Sequence, residues 1–81
     1  MAKPFPDHKS HPELKALGDA IRVLRTKKGI SQETLATDAG VDRSYMGGVE
    51  RGEHNLALIN LVKITDALGV TLKELMGKAE L

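Results

Sequence analysis

The strongest constraint in this chain is its punctuation. Gly29-Ile30-Ser31, Gly40-Val41-Asp42 and Gly69-Val70-Thr71 each set a helix stop, an apolar residue and a helix N-cap in succession. In each case the apolar residue has a partner five positions on, Leu35, Met46 and Leu75, which is the spacing of a hydrophobic staple. Ser10 with Glu13 and Thr71 with Glu74 have the spacing of capping boxes. Between these signals Leu14, Leu17, Ile21 and Leu24 form one apolar stripe, and Leu58, Leu61, Val62, Ile64 and Leu68 form another. Five helices are therefore predicted: about His11–Lys28, Gln32–Ala39, Arg43–Arg51 (stopped by Gly52), one running from about Leu58 to Gly69, and Leu72–Met76. No stretch alternates as a strand does, so the fold class is all-α.

A chain of 81 residues supports one core, with no room for a separate ligand-sensing domain. Residues 1–9, with Pro4 and Pro6 and little apolar content, read as a flexible arm before a domain spanning 10–81. The apolar share of 41% against 28% charged is the balance of a folded globular protein. The absence of Cys removes disulfides and thiolate metal sites, and no signal-peptide or membrane-spanning run is present, so a cytoplasmic setting is expected. A net charge of only +1 argues against indiscriminate binding to phosphate. Arg22, Arg25, Lys27 and Lys28 nevertheless crowd one segment. That cluster reads equally as an anion-facing patch or as cations complementing the dipole at a helix end.

The second and third helices, joined by the short Gly40-Val41 connection, have the helix-turn-helix arrangement, in which the second of the pair enters the DNA major groove by its N-terminal residues. A helical wheel puts Met46, Val49 and Glu50 on one side of that helix, with Ser44, Gly47, Gly48 and Arg51 opposite. Two adjacent glycines in a helix interior cost about 1 kcal/mol each against Ala, so another requirement must keep them. Close approach of backbone to DNA is one explanation; tight packing of a neighbouring element is the other. Arg43 in the first turn can donate two hydrogen bonds to guanine O6 and N7, with Ser44 beside it as an adaptable partner.

Gly29 to Gly52, with Ser31-Gln32, Leu35-Ala36, Ala39-Gly40-Val41 and Val49-Glu50-Arg51-Gly52, closely resembles the Cro/CI-type helix-turn-helix family, a resemblance that extends over about Leu14 to Met76. Within it, Asp42-Arg43-Ser44-Tyr45, Gly48-Val49-Glu50-Arg51 and Asn55-Leu56 are most similar to restriction-modification controller proteins. The resemblance implies a compact five-helix, lambda-repressor-like domain that regulates transcription by binding a near-palindromic operator as a homodimer. It implies base reading by Arg43, Ser44 and Tyr45, and phosphate contacts from Ser31, Gln32, Arg51, His54 and Asn55. It also implies a structural ion pair between Arg25 and Glu50. No cofactor, metal or small-molecule ligand is implied.

The chain departs from the controller pattern at three places. His54 stands where Arg is common, Leu56-Ala57 replace a Pro-Ser start of the fourth helix and remove its N-cap, and Gly47-Gly48 leave few side chains on the reading face, so DNA shape would carry part of the recognition. Ile59, off the main stripe of its helix, joins Leu72 and Met76 as a second apolar face for a dimer, or as ordinary exposed residues. A symmetric dimer would place two reading helices about 34 Å apart, one turn of DNA. Ser44, Asp42 and the histidines show no activated-nucleophile spacing, so catalysis is not expected. His8 and His11 have no accompanying carboxylate cluster of metal-site geometry and read as surface residues. The competing reading is an antitoxin or other protein-interaction module that binds DNA secondarily.

Overall fold

The computed structural model describes residues 11–81 and contains, among them, five helices and no strand. These are α1 (Pro12–Lys28), α2 (Gln32–Ala39), α3 (Arg43–Glu50), α4 (Leu58–Leu68) and α5 (Leu72–Ala79). The expected arm, Ser10 of the first capping box, and His8 lie outside the described residues. Pro12 opens α1, where its missing N–H costs nothing, after His11 at the N-cap.

The punctuation works as chemistry. Ser31, Asp42 and Thr71 each accept a backbone N–H of the helix they precede, and Thr71 and Glu74 complete a reciprocal capping box. The hydrogen bonds from Thr71 hold the Glu74 carboxyl below its ordinary pKa. Gly40 ends α2 at φ 72, letting the Val41 N–H return to the Ala36 carbonyl at 2.9 Å and the chain reverse within two residues. The later members of the three staples, Leu35, Met46 and Leu75, have no exposed surface, while Ile30, Val41 and Val70 cover the core edge. With Ile21, Val49 and Ile64 they form a core to which every helix contributes.

α1 packs on α3 and α5, α2 packs on α3 and α4, and α4 touches α5. The α1–α3 crossing depends on two glycines. A methyl on Gly18 would collide with the Val49 carbonyl oxygen and lie 2.7 Å from that of Glu50, both rigid backbone. Gly52, at φ 77, turns the chain just beyond α3, and a methyl there would lie 2.7 Å from the Cα of Lys15. Together they let α3 and the turn that follows rest directly on α1.

Three sequence expectations need correction. Leu58 and Val62, assigned to the core stripe of α4, are 64% and 37% exposed, because α4 turns Leu61, Ile64 and Leu68 inward and α2 covers only that side. Helix α5 does not stop at Met76; it runs through Gly77 to Ala79, whose burial offsets the roughly 1 kcal/mol cost of an internal glycine. Arg51 is the C-cap of α3 rather than its last residue. Helix α4 starts after Ala57 with no side-chain cap, as the lost Pro-Ser start implies.

Gly18→Ala is expected to cost about 1–3 kcal/mol, the range for overpacking, because neither side of the contact can yield without moving a helix. Urea unfolding of the variant beside the parent measures it.

Candidate nucleic-acid interface

Helix α3 is held from behind. Arg25 of α1 donates to Glu50 of α3 through Nε (2.7 Å to Oε2) and a terminal nitrogen (3.1 Å to Oε1), and through its other terminal nitrogen to the Ile30 carbonyl at 3.0 Å. Gln32, the first residue of α2, donates its amide to the same carboxylate at 3.1 Å. The pair is 13% and 4% exposed at the side chains, so water screens it little. One carboxylate thereby joins α1, α2 and α3.

The basic cluster of α1 divides accordingly. Arg25 belongs to the buried pair, and Lys28 donates to the Ala67 carbonyl at the end of α4 at 2.9 Å. Arg22 lines an open groove of about 570 Å³ together with Lys15, Gln32, Gly47, Arg51 and Glu53, with the Arg25–Glu50 pair also on its wall. Arg22 was read from sequence as part of the basic cluster, whereas Lys15 was not anticipated on this face. They lie seven residues apart, two turns of one helix, a spacing that places them on one face about 10 Å apart along the axis.

At the N-terminal end of α3, Arg43 and Ser44 are both exposed. Asp42 accepts the Ser44 N–H at 3.0 Å and also the Ser44 hydroxyl. The hydrogen bonds from Ser44 hold the Asp42 carboxyl below its ordinary range. The Ser44 hydroxyl is therefore engaged as a donor and keeps its acceptor capacity outward. Ser31 is likewise occupied in capping, within 3.0 Å of the Thr34 N–H and hydroxyl.

Gly47 and Gly48, placed on the outward arc by the wheel, are buried. The wheel treats α3 alone, whereas side chains from outside it fold over both glycines. The His54 ring lies where a methyl on Gly48 would sit, with Cδ2 at 2.6 Å from that point. At Gly47 the flanking atoms are a guanidinium nitrogen of Arg51 at 3.1 Å and Oε1 of Gln32 at 3.2 Å. Gly48 is thus explained by intramolecular packing, while Gly47 still lines the groove.

His54 stacks on Tyr45 with centroids 4.7 Å apart and the rings 27° from parallel. The Tyr45 hydroxyl accepts from the Asn60 amide of α4 at 3.1 Å, a partner that no sequence signal marked. Arg51 meets Glu53 at 2.9 and 3.2 Å, and this contact raises its pKa. Asn55 is exposed and faces a separate pocket of about 320 Å³ with His11, Glu13 and Leu14. Gln32, Gly47 and Arg51 are therefore gathered on one groove, Tyr45 and His54 form a stacked pair, and Asn55 stands apart. Of the expected dimer face, Ile59 is 63% exposed, while Leu72 and Met76 are half-buried against the core; the neighbours exposed with Ile59 are Leu58 and Val62.

Residues 21–75 match the family model described as Helix-turn-helix. The chain belongs to the helix-turn-helix family of DNA-binding regulators. This helix-turn-helix protein is 41% identical to control protein C.MunI of Mycoplasma sp over 64 residues, covering 78% of this chain and 86% of that protein. It is 42% identical to control protein C.BamHI of Bacillus amyloliquefaciens over 60 residues, 73% of this chain and 74% of that one. The crystal structure of the restriction-modification controller protein C.AhdI from Aeromonas hydrophila is similar with a TM-score of 0.79 at 51% identity, covering 80% of this chain and 98% of that one. Among the described residues no helix is long and apolar enough to cross a membrane, and no group of three or more His, Cys, Asp or Glu is placed to hold a metal.

Glu50→Ala is expected to cost about 3–5 kcal/mol, because it strands a largely buried guanidinium and frees the Gln32 amide; denaturant unfolding checks this. Asp42→Ala should lower the thermal midpoint at neutral pH. Since the folded-state pKa of Asp42 is depressed, its contribution is complete above the ordinary carboxylate value and disappears as the pH falls through the lowered one. Thermal scans of parent and variant should therefore begin to converge only below about pH 4 and draw closer as the pH falls further.

Proposed function

We propose that this protein is a sequence-specific transcription regulator of the controller type, binding a near-palindromic operator as a symmetric homodimer and catalysing no reaction. The observation that carries the reading is the exposed first turn of α3, with Arg43 and Ser44 projecting from a helix anchored by the buried Arg25–Glu50 pair. Arg43 reads guanine through O6 and N7, and Ser44 accepts from a base amino group or exchanges its Asp42 bond for one. The α2 N-terminus and Gln32 take a backbone phosphate beside the groove, where Arg51 takes another. Tyr45, His54 and Asn55 complete the contact surface, with His54 acting from its stacked position on Tyr45.

Resemblance to control proteins, and to a controller of restriction and modification, supports a place in such a locus. The dimer face is proposed on α4, where Leu58, Ile59 and Val62 leave apolar surface in water, with the half-buried Leu72 and Met76 behind. A small reading face on each protomer makes two-fold repetition the simplest source of adequate specificity.

Selection of duplexes from a random pool with the purified protein should return an inverted repeat with half-sites about one helical turn apart. Arg43→Ala should weaken binding to that operator by about 1–3 kcal/mol and relax the preference at one position of each half-site. An anisotropy titration in which Arg43→Ala binds the operator as the parent does overturns the assignment.

A further inference from the structure

Three polar side chains on the proposed DNA face are each held by a carboxylate of the same chain: Gln32 by Glu50, Ser44 by Asp42 and Arg51 by Glu53. Glu50 is part of the buried anchor and Asp42 is a helix cap. Glu53 lies beyond α3 and outside both arrangements. Its two oxygens receive Nε and a terminal nitrogen of Arg51 side by side, at 2.9 and 3.2 Å. A guanidinium grips a phosphate with the same fork.

The pair is open to exchange. Its side chains are 62% and 40% exposed, and both residues line the groove that also carries Arg22 and Gln32. Glu53 itself is placed by backbone: its N–H returns to the Gly48 carbonyl at 2.9 Å, across the turn that Gly52 makes against α1. Arg51 has a long side chain with which to change partner, whereas the Glu53 carboxylate can swing only as far as its shorter side chain reaches from a backbone-bonded turn.

We propose that Glu53 is an internal phosphate mimic that occupies Arg51 in the free protein and weakens its contact with DNA, an inference that rests on the DNA-binding reading above. Exposed ion pairs are weak, so an arriving phosphate can displace the carboxylate. The displaced carboxylate stays well within the Debye length of about 8 Å and repels that phosphate. Arg51 therefore meets DNA as half of a neutral pair, and fewer counterions are released than a lone arginine would release. Glu53 thus lowers overall affinity and flattens its salt dependence, leaving sequence discrimination to Arg43 and Ser44.

The test titrates the full chain against two duplexes, the selected operator and a random sequence of equal length, across about 50 to 200 mM salt. Glu53→Gln is expected to bind both duplexes about three- to fivefold more tightly near 0.1 M salt, with the slope of log K against log salt steeper by about 0.9. In an Arg51→Ala background the same change should gain clearly less, because only the repulsion between the carboxylate and DNA is then removed and not its hold on Arg51. Equal or weaker binding by Glu53→Gln overturns the inference. So does an equal gain with and without Arg51, which would make Glu53 a diffuse repulsive charge. If the parent chain binds neither duplex, the DNA-binding reading itself falls. Thermal midpoints of the three variants separate folding defects from binding effects.

Discussion

The guanidinium of Arg25 spans from α1 to the Glu50 carboxylate on α3, and the geometry of the proposed reading surface depends on that pair. Glu50 sits at the end of α3 away from Arg43, so fixing it sets the direction in which the helix projects its first turn. The same carboxylate takes the Gln32 amide, which sets the start of α2 against the end of α3. Such a pair has a large desolvation cost, and a well-packed apolar substitute can be as stable. What an apolar substitute lacks is direction: two parallel hydrogen bonds and a third to the Ile30 carbonyl restrict the helices far more narrowly than interdigitating methyl groups. The glycines at the α1–α3 crossing act beside it, letting the backbone of α3 and of the turn after it rest on α1.

Around this anchor several outward polar groups are bonded within the chain. Ser44 bonds to its cap, Arg51 to Glu53 and Tyr45 to Asn60, so much of the proposed DNA face is already hydrogen-bonded. Binding then exchanges partners, and the net gain at each site is the difference between two similar interactions. This agrees with a chain whose formal charge is only +1, in which affinity cannot come from bulk positive charge. Recognition in such a protein falls to a few groups placed by rigid backbone.

Much of the fold was legible from local signals. Ser31, Asp42 and Thr71 cap because a side-chain oxygen two or three residues from an unsatisfied N–H needs no tertiary partner to act. Gly29, Gly40 and Gly69 stop helices for a similarly local reason. The errors arose where packing partners decide. Gly77 lies inside α5 because Ala79 beyond it is buried, and Leu58 and Val62 lie in water because the neighbouring helices cover a narrower face than the apolar stripe suggests. Among site residues, the Arg25–Glu50 pair was accessible only through family resemblance, since 25 residues separate its members. Gly18, Asn60 and Glu53 carried no periodic or motif signal at all.

The arc holding Gly47 and Gly48 marks the boundary most clearly. By itself the sequence determined that α3 would be a short capped helix with a polar first turn and little side-chain bulk in its middle, because those properties reside in the residues of one helix. Only the tertiary structure decided what covers that middle: the His54 ring over Gly48, and Arg51 and Gln32 beside Gly47. A helical wheel specifies direction from one axis, whereas burial depends on groups arriving from a following loop and a preceding helix. Their positions are set by the turn at Gly52 and by the Arg25–Glu50 anchor, neither of which is a local property of α3.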